Sequence, residues 1–320
     1  MRRKFIFSSL SVFLLLLVAG STVYFEPIWV SDQVLRILLW RQHVTSNYVQ
    51  VDGYSIHYLE ARAAKGEGTP LVLVHGLGSR GEDWSKLIPA LAAQGFHVYV
   101  PDLLGYGRSP KPDVDYSISL EEKTVIDFMQ AMHLAHADVG GWSMGGWIVL
   151  KLAIDRPKMV DRLVVYDAAG IYFSAIYTAS LFTPVDDKGL AKLSSMLTPE
   201  PKKLPPFIAR AAVRKLQENA WVIERSVHSM TGGRDLLDFR LHEITSPTLI
   251  VWGKQDALIP LSVGETMHRA IAGSSLLIVD GCGHLAPGEC TEPVLNGTVG
   301  FLKAEPALQG GESAVAGHAK

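Results

Sequence analysis

The sequence predicts a doubly wound α/β fold with a mostly parallel sheet, and three observations carry that expectation. Short, almost wholly apolar runs recur at 71–74, 98–100, 137–140, 163–166, 248–252 and 276–279. Runs of this length suit parallel strands covered on both faces. Helical patterns separate them, at 81–94, 119–134, 144–155, 262–271 and 289–302. At the entry to this series, residues 48–60 alternate polar with apolar around Asp52-Gly53, which marks a two-stranded hairpin. The sheet is therefore expected to begin antiparallel and continue parallel.

The rhythm breaks once. Residues 171–243 hold helical patterns, with Pro184, Pro199, Pro201, Pro205 and Pro206, and no convincing buried strand. An insertion this long between two sheet strands covers an active site more often than it idles, so 171–243 is read as a helical cap on a core of 47–170 and 244–304. The cap is rich in apolar side chains, among them Ile171, Tyr172, Phe173, Ile176, Tyr177, Leu181, Phe182, Phe207, Ile208, Trp221 and Val222. Those facing the site would form an apolar pocket, and the rest would pack the cap. Residues 305–320 lack periodicity and are expected to be disordered.

Ahead of the core, Arg2, Arg3 and Lys4 precede an uncharged stretch of 21 residues, 5–25. As a helix it would span about 31 Å, the hydrocarbon thickness of a bilayer. The cationic cluster in front puts the N-terminus in the cytoplasm and the remaining chain on the far side. A cleaved signal has the same layout, but the apolar run outlasts a usual signal core, so 1–25 reads as a transmembrane anchor. Residues 26–46 read as an amphipathic linker helix with an N-cap at Ser31 and an apolar set of Val34, Leu35, Ile37, Leu38 and Trp40. Such a helix lies on the bilayer surface or packs on the core.

Composition narrows the partners. The 320 residues are 48% hydrophobic with 30 Lys plus Arg against 32 Asp plus Glu, which leaves no basic excess for nucleic acid. Cys282 and Cys290 are the 2 cysteines, too few for a zinc site or a disulfide framework, and no metal or cofactor is implied. Beyond a membrane a bridge between them is chemically possible, but it would constrain the loop that must place a catalytic base, so free thiols are the preferred expectation.

That loop belongs to a catalytic pattern. Gly141-Trp142-Ser143-Met144-Gly145-Gly146 directly follows one buried strand and directly precedes a helix, the context in which G-x-S-x-G forms a nucleophile elbow. A serine hydroxyl needs a base, and the base needs an orienting carboxylate. Asp256 and His284 stand just past the buried strands at 248–252 and 276–279, so all three side chains emerge at the carboxyl edge of the sheet, where open α/β folds bind ligands. Asp167 is the rival acid, set aside because the loop after it is already occupied by a capping sequence. His75-Gly76-Leu77-Gly78 closes the strand at 71–74 and offers the backbone N–H of Leu77, which with that of Met144 would receive an oxyanion. His75 reads as structural, and Asp102 as the organiser of the loop 101–109.

Taken together, His75 to Gly78, Asp102 to Ser109, Gly141 to Gly146, Asp256 and Gly283-His284 resemble the α/β-hydrolase superfamily over about residues 48–303. An anchor ahead of a capped core is similar to the membrane-attached monoacylglycerol lipase and esterase branch. The resemblance implies hydrolysis of small or lipid-like carboxylic esters through an acyl-enzyme. Haloalkane dehalogenases and epoxide hydrolases place Asp where Ser143 stands, so those reactions are not expected. Ring-cleavage carbon–carbon bond hydrolases share Ser-Met-Gly-Gly but often follow the His with an aromatic residue, whereas Leu285 follows His284. The same triad also suits lactone hydrolysis and perhydrolysis, and the same scaffold suits a non-catalytic binding role. The sequence does not fix the oligomeric state.

Overall fold

The computed structural model describes residue 12 and residues 20–174, 178–305 and 310–317. Most of the expected membrane-spanning segment, and Ile176 and Tyr177 of the cap, lie outside the described residues. Among the described residues no helix is long and apolar enough to cross a membrane.

Among the described residues nine strands form one sheet. They are β1 (Thr45–Val51), β2 (Tyr54–Ala61), β3 (Thr69–Val74), β4 (Phe96–Pro101), β5 (Ala137–Trp142), β6 (Val160–Tyr166), β7 (Thr248–Gly253), β8 (Ser275–Asp280) and β9 (Gly311–Ala316), in the order β1-β2-β4-β3-β5-β6-β7-β8-β9. The β1–β2 and β2–β4 pairs are antiparallel and the rest are parallel. Asp52 and Gly53, both with positive φ (47° and 82°), close the hairpin as the sequence anticipates, because that geometry matches the twist of the flanking strands.

The buried strands have two apolar faces. On β3, Val72 and Val74 pack into one core layer with Phe128, Trp147 and Ile148, while Leu71 and Leu73 pack into the other with Trp84, Tyr166 and Phe301. Strands β7 and β8 divide the same way, Ile250 and Ile278 to the first layer and Val251 and Val279 to the second. Successive side chains point to opposite faces, so a strand sandwiched between helices has no polar side to show. This is why its sequence reads as a continuous apolar run.

Three expectations need correction. The helix expected at 81–94 is two pieces, a 3-10 turn Gly81–Trp84 and a helix Leu87–Ala93. Pro89 dictates the split: without an N–H it is tolerated only in a first helical turn. The linker helix runs Pro27–Arg41 and opens on Pro27 at its first position, one turn before Ser31. Lastly, the tail expected to be disordered contributes β9, paired in parallel to β8 from Ser275↔Gly311 to Asp280↔Ala316. Every residue of β9 is exposed. The ladder of backbone hydrogen bonds along the β8 edge holds it, and such bonds leave no hydrophobic period in a sequence.

The linker helix both packs on the domain and keeps an apolar face in solvent. Its inner side bonds Asp32 to Arg80 (2.6 and 3.0 Å) and buries Leu39. Just before it, Tyr24 stacks on Phe207 of the cap helix Pro206–Glu218 at 5.3 Å, and Arg214 donates to the Phe25 carbonyl. Trp29, Val34, Ile37, Leu38 and Trp40 remain exposed.

Candidate active site

Strand β5 ends at Trp142 and the helix Met144–Asp155 starts two residues later, so the chain turns at Ser143 alone. Ser143 takes φ 57°, ψ -119°, a conformation that costs about 1–3 kcal/mol for a residue with a side chain. Three bonds hold it there: its N–H donates to Tyr166 O, and its carbonyl accepts from Trp147 and Ala169. A side chain at Gly141 would collide with the Gly145 carbonyl, and one at Gly145 with the carbonyls of Val74 and His75. Glycine at both places is therefore a condition of the turn.

His284 and Asp256 reach Ser143 from the loops after β8 and β7. His284 Nε2 lies 2.9 Å from Ser143 Oγ, and His284 Nδ1 lies 2.8 Å from Asp256 Oδ2. Since the carboxylate can only accept, Nδ1 carries the proton and Nε2 is free to accept from the hydroxyl. Asp256 is fixed in turn, its Oδ1 accepting from the N–H groups of Leu258 and Ile259 at 2.8 and 2.9 Å. His284 is 2% exposed, so bulk water does not compete for these bonds.

Asp167 does not meet the imidazole. Its Oδ1 accepts from Gly253 N–H at 2.7 Å, beneath the loop that carries Asp256. Complete burial, and then the nearby Asp256 charge, push its carboxyl well above the usual carboxylate range. A carboxyl raised on folding makes the folded state bind more protons than the unfolded one, so stability falls as pH rises past the unfolded value. Asp167→Asn, which keeps the oxygen facing Gly253, is expected to raise the thermal midpoint at pH 8, with the gain shrinking toward pH 4. Melting curves across that range check it, and a midpoint lowered at pH 8 contradicts it.

The flanking loops behave as supports. His75 is fully buried, bonds the Gly76 carbonyl through Nδ1 and accepts from Leu103 N–H through Nε2; burial lowers its pKa, which keeps it neutral. Asp102 accepts from the N–H groups of Gly81 and Arg108 and bonds His57 Nδ1 at 2.7 Å. Burial opposes its charge, but the His57 bond and the neighbouring donors hold its carboxyl below the ordinary value. Gly76 packs so close that a Cβ there would lie 3.1 Å from Ser143 Cβ, which sets the Gly76-Leu77 segment directly beside the serine.

Two features escape the sequence reading. Trp142 Nε1 donates to the His284 carbonyl at 2.7 Å, so the variable position of the elbow motif anchors the loop of the base. A donor-only indole before the serine was the available signal. The second is a disulfide between Cys282 and Cys290, with Cα atoms 6.3 Å apart, where free thiols are expected. The bridge closes around His284 without displacing it; the constraint that argued against it instead holds the loop in place. For a ring this short, chain entropy gives a contribution of about 2–3 kcal/mol. The double variant Cys282→Ser, Cys290→Ser is expected to lose that much in urea unfolding, and an unchanged midpoint would remove the bridge from the stability of the fold.

A cavity of about 470 Å³ opens on Ser143 and His284. Its cap-side wall is apolar, built from Phe182, Leu193, Leu197, Leu216 and Ile223 with Leu258 from the core. Ser79, Asp83, Gly288 and Glu289 line it as well, and neither Lys nor Arg is among the described lining residues.

Comparison with known proteins agrees with this fold. A family model described as "Alpha/beta hydrolase family" matches residues 71–295. The chain is 28% identical over 265 residues to 2-hydroxy-6-oxo-6-(2'-aminophenyl)hexa-2,4-dienoic acid hydrolase of Metapseudomonas resinovorans, covering 80% of this chain and 90% of that protein. It is 28% identical over 232 residues to Lipase 1 of Psychrobacter immobilis, covering 68% and 72%. Among solved structures, a membrane phospholipase A described as a bacterial virulence factor superposes with a TM-score of 0.77 at 26% identity, over 94% of this chain and 98% of that one.

Proposed function

Because the chain belongs to the alpha/beta hydrolase family, we propose that it is a serine hydrolase of carboxylic esters with lipid-like acyl chains, monoacylglycerol-type esters among them. The observation that carries this reading is the unbroken run of hydrogen bonds from Ser143 through His284 to Asp256 at the floor of an apolar cavity. In the reaction, Ser143 Oγ attacks the ester carbonyl carbon as its proton passes to His284 Nε2. The N–H groups of Leu77 and Met144 receive the negative oxygen of the tetrahedral species. Collapse breaks the bond to the alcohol, which leaves with the proton from His284. Water, deprotonated by the same imidazole, then releases the acid and restores the serine.

Relatives include carbon–carbon bond hydrolases, so the choice of ester needs its own support. The dienoic acid in the name of the Metapseudomonas protein bears a carboxylate, and a carboxylate in the present cavity would meet Asp83 and Glu289 with no cation among the described lining residues. An uncharged ester bond attached to a hydrocarbon chain suits the same walls. The test is a panel of p-nitrophenyl esters and monoacylglycerols beside a dienoate substrate, with fluorophosphonate labelling mapped to Ser143. Turnover of the dienoate alone would overturn the ester reading, and absence of labelling would favour a non-catalytic role.

The anchor belongs to the same proposal. Residues 5–25 are uncharged and follow a cationic cluster, and the exposed Trp29 and Trp40 lie on the helix immediately after them, as aromatic side chains do at a bilayer interface. The catalytic domain then stands on the non-cytoplasmic side. Carbonate-resistant sedimentation of the full chain, with protease access from that side, is the expected result; a freely soluble product of lower mass means cleavage instead.

A further inference from the structure

The cavity has a second character that ester hydrolysis alone does not use. On the core side of the cavity, the 3-10 turn Gly81–Trp84 and the short helix Ala286–Glu289 come together, tied by Lys86 Nζ donating to the Gly288 carbonyl at 2.5 Å. Each contributes one carboxylate to the lining, Asp83 and Glu289. Asp83 accepts from Ser79 Oγ at 2.6 Å and from Arg80 N–H at 3.1 Å, which fixes its position, and Glu289 Oε2 accepts from Gly283 N–H at 3.3 Å, one residue before the base. Arg80 is paired with Asp32 of the linker helix and Lys86 bonds the Gly288 carbonyl, and neither cation is among the described lining residues. The cap thus contributes only hydrocarbon to the lining, through Phe182, Leu193, Leu197, Leu216 and Ile223, while both carboxylates come from core loops, beside Trp84 and Pro287.

Resting on the ester-hydrolase reading, we infer that Asp83 and Glu289 select the alcohol half of the substrate: an uncharged, hydroxyl-bearing alcohol such as glycerol is taken, and one bearing phosphate is rejected. The acyl chain, which can only be accommodated by the apolar wall, runs under the cap. The alcohol half is then directed to the core side of the cavity, where hydroxyl groups donate to the carboxylate oxygens of Asp83 and Glu289 and a phosphate meets two like charges. Asp83 is solvent-exposed and Glu289 half-buried, so each carboxylate is worth about tenfold in discrimination rather than an absolute barrier.

The experiment compares kcat/KM for 1-decanoylglycerol and 1-decanoylglycerol 3-phosphate, both below their aggregation limits, in the full chain and in Asp83→Asn, Glu289→Gln and the double variant. The unmodified protein is expected to favour the uncharged ester by about 100-fold at low ionic strength, less as salt is added. Each single variant is expected to give back about tenfold of that ratio. Because the measurement is a ratio within one protein, partial loss of folded enzyme cancels. Equal rates on both substrates in the unmodified protein, or a preference that survives in the double variant, would overturn the inference. p-Nitrophenyl decanoate separates the two levels: turnover of it with no discrimination between the glycerol esters defeats only the role of Asp83 and Glu289, whereas no turnover of any ester defeats the hydrolase reading beneath it.

Discussion

Ser143→Ala is expected to lower kcat for ester hydrolysis by about 10⁴-fold or more while leaving the fold and the melting temperature near those of the unmodified protein. The chemistry explains the size. Without Oγ there is no acyl-enzyme, and water must attack directly with only the proposed oxyanion donors, the N–H groups of Leu77 and Met144, and the remaining imidazole to help. The structure explains why the fold should survive. Ser143 is held by its backbone, through Tyr166 O, Trp147 N–H and Ala169 N–H, and Oγ makes its hydrogen bond to His284. The bonds that keep the turn in its strained conformation are therefore all retained in alanine. The check is a progress curve on a p-nitrophenyl ester beside a thermal melt. A folded alanine variant with undiminished turnover defeats the assignment of Ser143 as nucleophile.

Asp256→Asn is expected to cost about as much, roughly 10⁴-fold in kcat, for a different reason. Asparagine keeps the shape of the side chain and can still accept from Leu258 and Ile259. Toward His284, however, an amide nitrogen donates, which forces the imidazole proton onto Nε2 and leaves Ser143 facing a donor rather than a base. Asp167 does not compensate, since its bonded oxygen serves Gly253. The pair of asparagine variants therefore separates the two acids: Asp256→Asn loses activity with little change in stability, and Asp167→Asn shifts stability with activity largely kept. Parallel kinetics and melts distinguish them, and the reverse pattern would exchange the roles of the two residues.

Much of this site is legible in the sequence, because its logic is one of order along the chain. Buried parallel strands announce themselves as apolar runs, and in a parallel sheet every residue just past a strand emerges at the same edge. That places Ser143, Asp256 and His284 together without knowledge of a single distance. The expectation that Leu77 N–H and Met144 N–H receive an oxyanion rests on the same edge, since backbone donors require position and not side-chain identity. What stays hidden depends on partners distant in sequence. β9 is held by main-chain bonds, to which Gly-Glu-Ser-Ala-Val-Ala gives no clue. The indole of Trp142 could bond many carbonyls, and only the packed loop selects that of His284. The Asp32–Arg80 pair joins residues 48 positions apart, and charge counting does not foresee it. The split of the expected 81–94 helix is the exception, since Pro89 is visible in the sequence and carries more weight than the apolar pattern around it.

The position of Gly317 gives the end of the chain an influence on the base. Its N–H donates to the Asp280 carbonyl at 2.6 Å, and a side chain in its place would press on both sulfurs of the Cys282–Cys290 bridge. The terminal strand is thus a cover over that bridge, which has at most 1% of either cysteine open to solvent. Small thiol reagents must wait for β9 and Gly317 to leave the β8 edge before they can reach it. How readily the ring around His284 can be opened is accordingly set by the fraying of β9 from the edge of the sheet.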